Sequence, residues 1–469
     1  MPDRAPSDRD LPFASVLDQA ALVRRGHVSP LELVDLYLER IERLDPQLNA
    51  YVTLDADGAR AAARSQPDGP FAGVPIPIKD LNETAGLRTT YSCKAFADNV
   101  PDFDANVVRR IREAGFVVIG KTNTSELGTI AITESELNGD CRNPWDTSRT
   151  PGGSSGGAAA AVAAGLAPVA HASDGGGSIR VPASCCGLVG LKPSRGRVSP
   201  APWVSGSLGL GTSGPIARSV RDVAALLDVM TGNEPGDAYV APAPERPFLE
   251  EAEREPGQLR IAVTVEPPTS VPVDPVCAAA LRSGAELLAE LGHDVVERTP
   301  PWQSDEMIAH FIRVWQVGPA TSSVDDLSLL EPINRMLAEA ARATPSPQHA
   351  ISIARLQQTA RRVVAFWGDV DVVATPTLAL PPVPVGWTWE GTDGDPHRAF
   401  ASQTLFTPFT PLVNVTGQPA VSVPLYWSDE GLPIGVQLIG RPFDEATLVR
   451  LAAQLEAARP WGHRRPPVS

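Results

Sequence analysis

Between Arg149 and Arg180 the only formally charged residue is Asp174; the other positions of 150–179 are mostly glycine, serine, alanine and aliphatic side chains. The longer stretch 150–196 reads TPGGSSGGAAAAVAAGLAPVAHASDGGGSIRVPASCCGLVGLKPSRG. Glycine tolerates close backbone approach and positive φ. Successive amides in such a run can converge on an anion. Ser178 ends the run Gly175-Gly176-Gly177 and would sit at that concavity. A flexible Gly/Ser linker is the bland alternative. Val162, Leu166, Val169, Ile179, Val181, Leu188, Val189 and Leu191 break it up and call for burial instead.

Two other glycine-rich motifs fit less well. A phosphate loop of the form GxxxxGK[ST] is absent, and Lys192-Pro193 stands where a dinucleotide site would want an acid. Gly153-Ser154-Ser155-Gly156-Gly157 matches G-x-S-x-G in form, with His310 and His397 downstream. That motif needs a strand before the serine, and a polar turn, Asn143 to Arg149, precedes it here.

The basic residues add a second constraint. Of 40 basic side chains only four are lysine: Lys79, Lys94, Lys121 and Lys192. Arginine keeps its proton in a protein, whereas a buried lysine can lose it. Lys79 ends an apolar, proline-stiffened segment, Val74-Pro75-Ile76-Pro77-Ile78. As a neutral amine it could take a proton from a serine hydroxyl. As an ammonium it could pair with neighbouring Asp80. The local sequence allows both readings equally.

Organisation along the chain points to an α/β fold. Ser29, Pro30 and Glu32 announce a capped helix followed by Leu31, Val34, Leu38 and Ile41. Residues 73–79 hold too much proline for a central strand and predict a tight extended segment. Helices are predicted over 104–114, 156–165, from Ser219 to Gly232, 275–291 and 444–458. Strands are predicted at 116–119, 166–173, 261–265, 294–297, 420–426 and 433–439. The stretch 234–258 is acidic and proline-rich, and 376–398 is rich in proline and glycine, with Trp387 and Trp389. This alternation implies a parallel or mixed sheet.

The net charge of −15, from 55 acidic and 40 basic residues, argues against a nucleic-acid or anionic-membrane face. No apolar run reaches membrane-spanning length. The polar start, Met1-Pro2-Asp3-Arg4, does not read as a signal peptide. Five scattered cysteines (Cys93, Cys141, Cys185, Cys186, Cys277) form no CxxC and no disulfide framework. The vicinal pair reads as two small buried residues. Seven histidines form no HExxH, so no metal site is expected. A cytoplasmic protein is the expectation.

Several segments together resemble the amidase signature hydrolases. GVPIPIKDLNETAGLRTTYSC (73–93), GKTNTSELG (120–128), NPWDTSRTPGGSSGGAAAAVAAG (143–165), SDGGGSIRVPASCCGLVGLKPSRGRVS (173–199) and NVTGQPAVSVPLYWSDEGLPIGVQLIGRPFDEATL (414–448) carry the resemblance. It implies one amidase domain over 1–469, a central mixed β-sheet flanked by helices on both faces. The signature core would span about 70–230, a variable pocket region about 234–410 and a C-terminal sheet and helix segment 411–469. It implies Ser178 as nucleophile, Ser154 as a bridging serine on a cis peptide and Lys79 as the terminal base. Gly175, Gly176, Gly177 and Ser178 would supply oxyanion-hole amides, with Ser155, Asp174 and Arg180 as supports. No metal or organic cofactor is implied. The substrate would be a small-molecule amide, hydrophobic, cyclic or linear aliphatic, and the assembly a homodimer. A rival within the same fold is the glutaminase component of a tRNA-dependent amidotransferase.

The chain departs from the family at Gly175, where threonine or isoleucine is common, and at Ser194, where threonine is common. The expectation is that Gly175 leaves free space beside the nucleophile for a bulkier acyl group. Trp302, Phe311, Trp315, Trp367, Trp387 and Trp389 are candidates for either core or pocket.

Overall fold

A computed structural model describes residues 10–65 and 67–469; Met1 to Arg4 lie outside it. Eleven strands make two sheets among the described residues. The smaller contains β1 (Tyr51–Leu54), β2 (Pro75–Lys79) and β3 (Val117–Thr122), ordered β1-β3-β2. The larger contains β4 (Val169–Asp174), β5 (Val189–Lys192), β6 (Thr212–Ala217), β7 (Arg260–Val263), β8 (Asp294–Glu297), β9 (Val372–Pro376), β10 (Ala420–Trp427) and β11 (Pro433–Ile439). Its order is β4-β6-β5-β10-β11-β9-β7-β8. Pairing is antiparallel from β4 across to β9 and parallel from β9 through β7 to β8. The sheet is mixed, as expected.

Burial along single strands shows both faces of this sheet covered. Adjacent strand residues point to opposite faces. Ile216 and Ala217 of β6 are both fully buried. Ile216 joins a cluster with Ala158, Ala159, Val181 and Ala183, from helices Gly156–Ala163 and Arg180–Cys186. Ala217 joins a cluster with Leu226, Leu281 and Leu451, from helices Val220–Met230, Pro275–Glu290 and Glu445–Ala458. Helix Gly156–Ala163 is buried on all sides. Glycine and alanine alone let backbones approach that closely: a β-carbon on Gly157 would lie 2.4 Å from the Asn123 nitrogen.

The proline-rich segment 73–79 forms β2, an edge strand parallel to β3. An edge position is where proline is tolerated, since it lacks an N–H for a second neighbour. The capping box at Ser29 is present on helix Pro30–Leu44, preceded by a helix Val16–Arg24 that the sequence pattern does not announce. Nor does the pattern announce a helix between 300 and 410. The structure has Asp305–Trp315, Pro332–Ala343, Ser346–Val364 and Pro396–Phe406 there. Over its nineteen residues Ser346–Val364 buries only Ser352, Leu356 and Val363, too few to print a helical period.

Candidate active site

Three of the four lysines are buried: Lys79 and Lys121 completely, Lys192 almost so. Lys94 lies at the surface beside Glu136. Lys79 closes β2, and its Nζ lies 2.8 Å from Ser154 Oγ and 3.2 Å from Ser173 Oγ. Burial pushes its pKa down to about 7, against the pull of the Asp174 charge. The alternative pairing with Asp80 does not form. Asp80 Oδ2 accepts from the Thr90 amide at 3.0 Å and the Thr90 hydroxyl at 2.6 Å, and Oδ1 lies 3.9 Å from Lys121 Nζ. Behind Lys79, its backbone N–H points to His171 Nδ1 at 3.4 Å. Burial, with the charges of Lys79 and Lys121, pushes His171 down to about 3, so the ring is neutral.

Ser154 lies in the turn before helix Gly156–Ala163, and its peptide bond with Gly153 is cis. Thr133 fastens this turn: its hydroxyl donates to the Gly152 carbonyl at 2.8 Å and accepts from the Gly156 amide at 3.0 Å. Ser155 Oγ donates to the Ser173 carbonyl at 3.1 Å, tying the turn to β4.

The Gly175–Ser178 loop is held from below by Asp174. Burial raises the carboxyl pKa, but the Arg180 guanidinium outweighs it and holds Asp174 well below the usual carboxylate range. Arg180 reaches both oxygens at 2.9 Å, and Asn414 Nδ2 donates to Oδ1 at 2.9 Å. Arg180 also donates to Gln437 Oε1 and Asn414 Oδ1, both at 2.7 Å. The Gly177 amide donates to Asp174 Oδ1 at 2.7 Å. Gly177 is therefore committed to holding the loop, which leaves Gly175, Gly176 and Ser178 as the remaining amides of the expected oxyanion set. Gly177 is also fixed as glycine: its φ is +136°, and a β-carbon would lie 2.3 Å from Thr410 Oγ1. That hydroxyl donates to the Gly176 carbonyl at 2.7 Å.

Ser178, Gly176 and Gly177 line a cavity of about 80 Å³, whose other wall includes Ile130, Phe311, Trp315 and Phe400. None of the described residues lining it is charged. Of the aromatic candidates, Phe311 and Trp315 are in this wall. Trp302 and Trp367 are core, donating to the carbonyls of Glu266 and Ile439 at 3.2 Å. Trp387 packs on Phe406, and Trp389 borders a separate cavity rimmed by Glu126, Glu134, Glu136, Asp140 and Glu331. The space expected beside Gly175 is not free: the Trp315 ring occupies it. Ser194 lies away from the cavity, its amide on Glu445 Oε1 at 2.8 Å and its hydroxyl accepting from the Phe443 amide.

Sequence reasoning missed His171, Ser173, Thr410, Asn414 and Gln437 as neighbours of this machinery. Asn414 opens a segment already singled out; its role shows only once the loop is folded over it.

The amidase family model matches residues 32–449, nearly the whole chain. This chain is an amidase. It is similar to AmiB2 of Mycobacterium tuberculosis (strain ATCC 25618 / H37Rv), 44% identical over 98% of this chain and 99% of that one. It is also similar to the 6-aminohexanoate-cyclic-dimer hydrolase of Pseudomonas sp. (strain NK87), 40% identical over 96% of this chain and 95% of that one. A solved structure of a 6-aminohexanoate cyclic dimer hydrolase with substrate superposes with a TM-score of 0.93, at 38% identity, covering 97% of this amidase and 99% of that chain. A component of the glutamyl-tRNA(Gln) amidotransferase of Roseiflexus castenholzii (strain DSM 13941 / HLO8) is a more distant relative, 36% identical over 97% of each chain. The amidase is thus a hydrolase of amide C–N bonds. Among the described residues no helix is long and apolar enough to cross a membrane.

Proposed function

We propose that this amidase cleaves small neutral amides with apolar acyl groups through an acyl-enzyme on Ser178. The observation that carries the reading is the Lys79 amine, wholly buried and 2.8 Å from Ser154 Oγ, behind an apolar cavity that Ser178 lines. The neutral amine accepts the Ser154 proton while Ser154 Oγ takes the proton of Ser178. Ser178 Oγ then forms its bond to the carbonyl carbon, and charge develops on the carbonyl oxygen. Amides of Gly175, Gly176 and Ser178 receive that charge in this reading. The relay returns the proton to the leaving nitrogen as the C–N bond breaks. Water repeats the sequence on the acyl-enzyme and releases the acid.

The cavity's composition favours this over the glutaminase reading. Glutamine would bring an α-ammonium and an α-carboxylate to a wall with no counter-charge among its described residues, a costly desolvation. We place the enzyme in the cytoplasm, where five buried free cysteines suit a reducing compartment. A homodimer rests on the resemblance alone and is tested by light scattering.

The experiment is labelling with a fluorophosphonate, peptide mapping, and an amide panel run on wild type and Ser178→Ala. The reading expects the label on Ser178 and no turnover by the variant. A label on another residue overturns it.

A further inference from the structure

Two glycines of the nucleophile loop are glycine for different reasons. Gly177 needs a positive φ. Gly175 does not: its φ lies outside the left-handed region, so its φ does not call for glycine. What excludes a side chain there is Trp315. A β-carbon on Gly175 would lie 2.9 Å from Trp315 Cη2 and 3.0 Å from Cζ3. At Gly176 it would meet Phe311 Cζ at 3.7 Å and Trp315 Cη2 at 3.9 Å, ordinary contact.

The indole is not free to swing aside. Its Nε1–H donates to the Thr129 carbonyl at 3.1 Å, and its ring stacks on Phe311, centroids 5.4 Å apart and planes 19° apart. Thr129 follows Gly128, whose β-carbon position lies 3.2 Å from Ser154 Oγ. Trp315 therefore ties the end of helix Asp305–Trp315 to the segment beside the bridging serine, and spans the mouth of the Gly175–Ser178 loop.

The geometry points to Trp315 as the residue that selects the acyl group, seated in a place that the missing β-carbon of Gly175 opens, so that the site takes acyl chains unbranched next to the carbonyl. This rests on Ser178 as nucleophile. A carbonyl oxygen held by the loop amides puts the adjacent carbon beside the indole. A CH₂ passes; a branch meets the ring face.

The test uses paired fluorophosphonates, one with a straight alkyl group on phosphorus and one with an isopropyl group. Ser178 Oγ forms the O–P bond and fluoride leaves, so labelling rates report access without knowledge of the natural amide. Wild type labels faster with the straight probe. Trp315→Ala raises the branched-to-straight rate ratio about tenfold or more. Gly175→Thr slows the straight probe about 100-fold. Gly175→Thr/Trp315→Ala recovers most of that loss, because the ring that met the new side chain is gone. Trp315→Phe falls between wild type and Trp315→Ala, and melting curves confirm that each variant is folded. A ratio unchanged in Trp315→Ala, or no recovery in a folded double variant, overturns the assignment of Trp315 while leaving Ser178 in place. Failure of both probes to label Ser178 in wild type overturns the nucleophile reading and the inference with it.

Discussion

Lys79 and Lys121 sit on neighbouring parallel strands, both completely buried, each with two hydroxyls and a backbone carbonyl within hydrogen-bond reach, and they differ in the carboxylate that stands near Lys121. Lys121 Nζ is enclosed by acceptors: the Asn82 carbonyl at 2.5 Å, Thr89 Oγ1 at 2.7 Å, Thr84 Oγ1 at 3.2 Å and, farther off, Asp80 Oδ1. Burial pushes its pKa down to about 8, with the charges of Asp80, Glu83 and Asp104 opposing. Lys79 has the Ser154 and Ser173 hydroxyls and the Ser173 carbonyl beside it, no carboxylate in ion-pair contact among the described residues, and a pKa of about 7. Burial alone thus does not make a base. In the proposed mechanism the same side chain is a fastener where a carboxylate stands by it, and a proton acceptor where serine hydroxyls lead toward the cavity.

The largest expected effect separates the two. Lys79→Met should lower kcat/KM about 10⁴-fold or more with the fold retained, since the relay loses its terminal base. Lys121→Met should leave the kcat/KM of folded protein nearly intact. Comparable inactivation of two folded variants would break the comparison. Ser154→Ala should cost about 10²–10⁴-fold, the range for a positioned proton-transfer group; full activity would remove Ser154 from the path. In stability the order reverses. Lys121→Met leaves buried hydroxyls and the Asp80 carboxyl without their cation, and should cost about 3–5 kcal/mol in chemical denaturation. Thr410→Val removes one hydrogen bond to the Gly176 carbonyl and should cost about 1 kcal/mol in the same denaturation measurement.

The sequence shows these regions unequally. The mixed α/β class and most elements on either side of residues 300–410 are legible, because caps, apolar periods and glycine stops are local signals. Lys79, Ser154 and Ser178 stand out because rare lysine and dense serine and glycine are chemically unusual. The role of Lys121 is not legible: Asn82, Thr84 and Thr89 approach it through strand pairing, which leaves no mark in a linear pattern. For the same reason Gly175 reads as open space. Its partner Trp315 is 140 positions away, on a helix that the sequence pattern does not predict. Gly177 reads as an oxyanion donor because a glycine run does not reveal which amide turns inward to Asp174.

The pH dependence of kcat/KM for a non-ionising amide tests the central claim most directly. A lysine whose folded pKa is lowered to about 7 is an ammonium below that pH and cannot accept the serine proton; above it the amine is free. The account predicts an acid limb that rises with pH, levels off above about pH 7 and reports one proton. A profile flat from about pH 5 to 9, or a limb near pH 10 as for a solvated lysine, would contradict it.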